Sequence, residues 1–411
     1  MKRSFISMLC LLLSMLMITA AGCSNEQKQE STTAPPATQP TTVPAPATIS
    51  EPVASTAPAS PDSALADEGN IIYNELEIKM NLSEIESTID KLIDTQHFMG
   101  SVYAKVGNDF DYIKAKGFAN QGAHTENSIY RSGYAGSLTK LFTATAVMKL
   151  AEDKMLSLDD TLDKYFSSCI YGKDVTVRQL LSMTSGIPNY LDREPVRGGT
   201  VTLNNELRDK ITAESDYENN KATILSWILS QQLSPEKTGT FDYSDSNYYL
   251  LGEIIGAAAD MPYEAYLTEE IFKPIYMNKT GFERDDATAR PYESKQETAS
   301  LLYEAAGYSA IGAITNVSDI LRFIDALTAK QIIGEASLKE MLTDNGSSFG
   351  YGVFVNGNRI SVEDEIDAYK TKLSFTTDKK QIFAAMSNYA ESDPAKLHRS
   401  FREYLMKYRN Q

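Results

Sequence analysis

Apolar positions along this chain fall into two rhythms. Residues 82–96, LSEIESTIDKLIDTQ, repeat them at helical spacing. ATILSWILSQQL (222–233), NYYLLGEIIGAAA (247–259), SDILRFIDALTAK (318–330) and ASLKEMLT (336–343) do the same, and each predicts a helix. GSVYAKV (100–106) and FDYIKAKGFA (110–119) flank a Gly-Asn-Asp turn and predict a hairpin. Towards the C-terminus YGVFVN (351–356), YKTKLSF (369–375) and KQIFAAMSN (380–388) predict strands, and PAKLHRSFREYLMKY (394–408) a closing helix. A hairpin, a run of helices, then a meander predicts an α/β (α+β) fold. In it, one antiparallel sheet built from both chain ends is flanked by helices and interrupted by an inserted all-helical lobe. The expected domain spans residues 70–411, with 70–130 and 345–411 forming the sheet lobe and 131–344 the helix-rich lobe. Residues 191–220 are polar and irregular, either a lid over a site or a solvated excursion.

The N-terminus follows neither rhythm. Lys2 and Arg3 precede an apolar run, and Ala20, Ala21 and Gly22 lead into Cys23, which predicts a secretory signal over 1–22. A cysteine directly after small residues resembles a lipobox, so Cys23 is the expected lipidation site and a lipid anchor the expected link to the membrane. Residues 23–69 are rich in Pro, Thr, Ala and Ser and poor in large apolar residues. They read as a flexible linker that buries too little surface to order itself. The expected location is extracytoplasmic, tethered to the cell envelope.

The formal net charge of −16 argues against nucleic acid as a partner. Cys10 leaves with the signal and Cys23 with the lipid, so Cys169 stands alone and no disulfide framework follows. His97, His124 and His398 share no metal-like spacing, and no metal or cofactor is expected. A Ser-His-Asp hydrolase needs a histidine at its nucleophile, and G-x-S-x-G occurs once, as GSSFG (346–350), between a predicted helix and a predicted strand rather than on a strand-to-helix turn.

Chemistry enters with AGSLTKLFTATAVMKL (135–150). Ser137 and Lys140 lie one helical turn apart, so the amine can approach the hydroxyl. A serine needs such a base before it attacks a carbonyl. An N-cap serine beside a solvated lysine explains the same spacing. The longer runs YRSGYAGSLTKLFTATAVMKLAEDKMLSLDDTLDKYF and VTVRQLLSMTSGIPNY, then TFDYSDSNYYLLGEIIG and GYSAIGAITNVSDILRFIDAL, distinguish the two. In that order they resemble the serine β-lactamase/penicillin-binding-protein superfamily, in its class C-like branch, over about residues 98–410. The resemblance implies an acyl-serine enzyme, with Ser137 as nucleophile and Lys140 as general base. Its Y-x-N motif falls on Tyr243-Ser244-Asp245 and implies that Tyr243 relays the proton. Asp245 stands where asparagine is usual, and a carboxylate there holds Lys140 protonated and shifts weight to Tyr243.

The superfamily's third motif, K-T-G or H-T/S-G, is missing. Lys237-Thr238-Gly239 lies just before Tyr243 and reads as a decoy, and Lys370-Thr371-Lys372 sits too late in its strand. Aligned on IDAYKTKLSF, the motif falls on Val362-Glu363-Asp364 followed by Glu365. Two adjacent carboxylates about 4 Å apart repel by about 4 kcal/mol at an effective dielectric of about 20, which penalises an anionic substrate. The resemblance places the oxyanion donors at the backbone N–H groups of Ser137 and Glu365. Two readings follow, with a slipped register as a third. In one, a live enzyme takes neutral or cationic esters or amides, including D-alanyl, cell-wall-derived substrates that Asp245, Glu363 and Asp364 welcome through an ammonium. In the other, a catalytically impaired lipoprotein binds or senses. Hydrolysis of β-lactams is the least expected outcome.

Overall fold

The computed structural model of the protein describes residues 82–409 apart from 109, 194–200, 212–215, 294–295 and 298–303. The signal and linker read over 1–22 and 23–69, with Cys23, therefore lie outside the described residues. The first element is helix α1 (Leu82–Thr95), whose Ile85, Ile89 and Ile93 form one buried stripe at i, i+4 spacing. A hairpin follows, β1 (Gly100–Val106) and β2 (Phe110–Lys116). Among the helices after it are α2 (Leu138–Glu152), α3 (Asp245–Ala259), α4 (Glu304–Ile311) and α5 (Val317–Thr328). The chain then returns as β3 (Phe354–Asn356), β4 (Arg359–Ile366), β5 (Tyr369–Thr376) and β6 (Gln381–Ser387), and ends in α6 (Pro394–Arg409).

The six strands form one antiparallel sheet in the order β3-β4-β5-β6-β1-β2. Its two chain ends join where β6 pairs with β1, Ser101 opposite Met386. This is the sheet that the apolar rhythm predicts. The strand the rhythm does not predict is β4, whose RISVEDEI carries residues that disfavour strands. Tertiary pairing overrides propensity there. Glu363 faces Lys372 across the ladder and Glu365 faces Lys370, two favourable cross-strand pairs.

Each face of the sheet has its own core. Against α1 and α6 pack Val102, Ala104, Phe383 and Ala385, with Leu397 and Phe401 from α6. Against the helical lobe pack Val362, Leu373 and Ala384, with Leu138 and Leu141 from α2. Successive strand residues alternate between faces, so Val362 and Asp364 turn towards the helical lobe while Glu363 and Glu365 turn towards the terminal helices.

Helix α2 runs through the middle of the lobe, buried on all sides from Leu138 to Met148. Its polar residues have partners. The Thr143 hydroxyl bonds the Ser309 carbonyl at 2.8 Å, and the Thr139 hydroxyl accepts the Ala313 N–H at 3.0 Å. The described part of 191–220 is no solvated excursion. Leu191–Arg193 pairs with Val201–Leu203, and Leu191, Val201, Leu203 and Leu207 enter the main core. The Trp227 indole pins the following turn by donating to Glu206 at 2.7 Å.

On α6, His398 is buried with its ring 4.7 Å from that of Phe383. Burial first, then Lys372, Arg402, Arg359 and Arg399, hold its imidazole well below the ordinary value of 6.5. The unfolded chain therefore takes up this proton before the folded one on acidification. Stability from this residue is complete above pH 6.5 and falls as the pH drops towards the folded value, by at most about 1.4 kcal/mol per pH unit. Thermal melts at pH 7.5 and pH 5 should show a smaller acid loss in His398→Gln than in the parent chain. Equal losses would place the acid sensitivity elsewhere.

Candidate active site

Ser137 precedes α2 with helical backbone angles (φ −59°, ψ −11°), and its side chain makes no capping bond. The hydroxyl faces other partners: Tyr243 Oη lies 2.9 Å away and Lys140 Nζ donates to Oγ at 3.2 Å. Lys140 is 1% exposed. The reading of a capping serine beside a solvated lysine does not describe this pair.

The three ammonium hydrogens of Lys140 have three acceptors: Ser137 Oγ, the Ala310 carbonyl at 3.0 Å and Asp245 Oδ1 at 2.7 Å. That set matches an ammonium, which donates three bonds and accepts none. Asp245 opens α3 and is 0% exposed, so the two charges form a fully buried pair. The helix N-terminus also favours its carboxylate. Asn189 clamps it from the other side, its Nδ2 donating to Asp245 Oδ2 at 3.2 Å and its Oδ1 accepting the Asp245 N–H at 3.0 Å.

Two of these contributors had no signal of their own in the sequence. Asn189 lies inside the matching run SGIPNY but looks there like any turn asparagine. The Ala310 contribution is a main-chain carbonyl. It follows a break in α4 at Tyr308, whose φ of 33° is unusual for a residue with a side chain. The Tyr308 ring is held against those of Tyr249 and Tyr263 at 5.0 and 5.1 Å.

The Tyr243 ring meets Phe349 edge-on at 6.4 Å, and Phe349 in turn packs on Phe241 and Phe354. The half-exposed turn before it holds Lys237-Thr238-Gly239. Lys237 pairs with Asp242 at 3.1 Å and the Thr238 hydroxyl bonds the Ser234 carbonyl, so both side chains are engaged within this turn.

Opposite the serine stands β4, and of its four singled-out residues only Asp364 turns its side chain to Ser137. Val362 is buried in the core at 3% exposure. Glu363 and Glu365 lie on the other face, paired with Lys372 at 2.8 Å and Lys370 at 2.9 Å. Burial pushes the Glu365 carboxyl up, with Lys370 opposing. The repulsion expected between Glu363 and Asp364 is thus relieved by strand alternation and by the lysines. Asp245 is committed to Lys140. One carboxylate, Asp364, remains to set the charge beside the nucleophile.

That carboxylate has a specific seat. Asp364 Oδ2 accepts the Ser137 N–H at 2.7 Å and Oδ1 accepts the Glu365 N–H at 2.9 Å. Gly136 makes room for it: at φ +59°, a Cβ there would sit 2.7 Å from Asp364 Cβ.

A family model described as Beta-lactamase matches residues 85–403. Among curated proteins, the chain is 27% identical over 283 residues to PbpX of Bacillus subtilis (strain 168), covering 67% of this chain and 66% of that protein. The matched region spans 42–66% of the length of the curated relatives. Among solved structures, a penicillin-binding protein from Bacillus halodurans superposes with a TM-score of 0.66 at 22% identity, over 77% of this chain and 99% of that one. The D-amino acid amidase from Ochrobactrum anthropi SV3 does so with a TM-score of 0.61 at 18% identity, over 80% and 100%. At these identities the structural likeness speaks to the fold.

Proposed function

The chain belongs to the Beta-lactamase family, and from that premise we propose that it is a serine hydrolase working through an acyl–Ser137 intermediate. Its substrates are neutral or cationic esters or amides, D-aminoacyl groups among them. The observation that carries the proposal is the Ser137 hydroxyl, free of any capping role and held between Tyr243 Oη and Lys140 Nζ.

In the proposed reaction Tyr243 Oη is the proton acceptor, with the Lys140 ammonium beside Ser137 Oγ. The Ser137 proton passes to the Tyr243 oxygen as Oγ bonds to the carbonyl carbon. Developing charge on the carbonyl oxygen is received by the Ser137 and Glu365 N–H groups. Tyr243 then gives the proton to the departing oxygen or nitrogen as its bond to carbon breaks. Water repeats the sequence, losing its proton to Tyr243 and releasing the acid while Ser137 is reprotonated. Asp364 supports the substrate class, since it favours an ammonium near the carbonyl and disfavours a carboxylate.

Intact mass after treatment with a fluorophosphonate tests the nucleophile. A single adduct is expected on the parent chain and none on Ser137→Ala, whose melting temperature stays within a few degrees. An adduct that survives the substitution sinks the assignment. Cationic esters should turn over faster than matched anionic ones. We further propose an extracytoplasmic, lipid-anchored location through Cys23. Incorporation of labelled palmitate should be lost in Cys23→Ala, and its retention would count against the anchor.

The seat of Asp364 favours a second reading, a binding or sensing lipoprotein whose hydrolytic site is silent, because both oxyanion donors are already engaged.

A further inference from the structure

We propose that Asp364 is a built-in occupant of the oxyanion hole, which slows the site until a cationic group beside the scissile carbonyl draws the carboxylate away. The inference rests on Ser137 as the acyl-accepting nucleophile.

The two backbone donors that the proposed reaction needs are both taken by one side chain. Asp364 Oδ2 holds the Ser137 N–H at 2.7 Å and Oδ1 the Glu365 N–H at 2.9 Å. A carboxylate is a stronger acceptor than a neutral carbonyl, because charge-assisted bonds are about twice as strong as neutral ones. It is also covalently tethered at the hole, so no approaching substrate competes with it on equal terms. A neutral carbonyl oxygen therefore displaces it only slowly. An anionic substrate is worse placed still, since it brings a second negative charge to the same N–H groups.

The seat is built rather than casual. Strand alternation on β4 turns Asp364 towards α2 while its neighbours Glu363 and Glu365 turn away to Lys372 and Lys370. The N-terminus of α2, a helix of 15 residues, adds its partial positive charge to the Ser137 N–H. The absent side chain at Gly136 leaves room for the Asp364 Cβ and carboxylate. The buried Lys140 ammonium, with Asp245 and the Ala310 carbonyl for partners, is already committed.

Asp364 is only half buried, so it can be reached from solvent. An ammonium two bonds from the reacting carbonyl, as in an α-amino ester or amide, offers the carboxylate an alternative partner. Its departure frees both donors at the moment the carbonyl arrives. In this scheme a residue that blocks catalysis also selects the substrate. The silent appearance of the resting site then needs no loss of activity to explain it.

The test compares the parent chain, Asp364→Gly and the isosteric Asp364→Asn with an uncharged fluorophosphonate. Its phosphoryl oxygen needs the same two donors while Oγ bonds to phosphorus and fluoride leaves. Adduct formation, read by intact mass, should be at least ~100-fold faster in Asp364→Gly, the scale on which one oxyanion donor matters. Asp364→Asn should lie between the two. The parent should prefer a free α-amino ester over its N-acetyl counterpart by at least ~10-fold more than Asp364→Gly does, a factor worth ~1.4 kcal/mol. Equal labelling rates in folded parent and Asp364→Gly overturn the proposal while leaving Ser137 as the nucleophile. If no variant is labelled at Ser137, the nucleophile fails instead, and the seat is judged by NMR. An upfield move of the Ser137 amide proton in Asp364→Asn supports it, and an unmoved proton overturns it.

Discussion

Asp245→Ala is expected to lose about 3–5 kcal/mol of stability, the cost of stranding the Lys140 ammonium in a site from which water is excluded. For a folded part of about 330 residues that corresponds to about 5–8 °C in Tm. The pair is 1% and 0% exposed, so solvent cannot take over for the missing carboxylate. Asn189 loses the bond it donates to the carboxylate and keeps the one its Oδ1 accepts from the backbone N–H at 245. Lys140→Met on its own should cost a similar amount, leaving the carboxylate stranded. The double substitution Lys140→Met with Asp245→Leu should recover most of the loss, since apolar replacements of buried ion pairs are often neutral or stabilising. Thermal or urea melts of the four chains form a double-mutant cycle. Additive losses across it would mean the two charges do not depend on each other, contrary to their 2.7 Å contact.

Tyr243→Phe should reduce acylation by about 10²–10⁴-fold, the usual contribution of a positioned general base. Its effect on melting should be small, because the ring keeps its edge contact with Phe349 and the hydroxyl's bond to Ser137 lies at a half-exposed position. The size of this loss decides which group takes the serine proton. Lys140 has each of its three donor positions filled and offers no lone pair in that state. If Tyr243→Phe labels with fluorophosphonate at the parent rate, the tyrosine is not the base. Lys140 must then act in its neutral form despite Asp245.

Much of this arrangement could be read from the chain. Ser137, Lys140, Tyr243 and Asp245 were recognisable because side chains at fixed spacing sit inside long matching runs, and the structure brings all four together. The sheet was legible from its period-two strands, apart from β4. That omission had a consequence for the site. Without the strand, the alternation separating Asp364 from Glu363 was not available, and the two carboxylates looked like one negative patch. The Ala310 carbonyl was invisible for a different reason: any residue supplies a carbonyl, and only the backbone break at Tyr308 places this one. The two main-chain donors at Ser137 and Glu365 follow from the resemblance, but nothing in the residue pattern seats the Asp364 carboxylate on them beside Gly136.

The sheet that joins both chain ends also sets an order of events. Ser137 and Asp364 lie 227 positions apart, and the strand carrying Asp364 is tied to the first hairpin only through β5 and β6. Contacts of such long range form late and slowly. A chain still emerging from a ribosome thus holds its serine without the second oxyanion donor, the Glu365 N–H. Proteolytic removal of the C-terminal strands would return the molecule to that incomplete state, so clipping there silences the site and cannot release it.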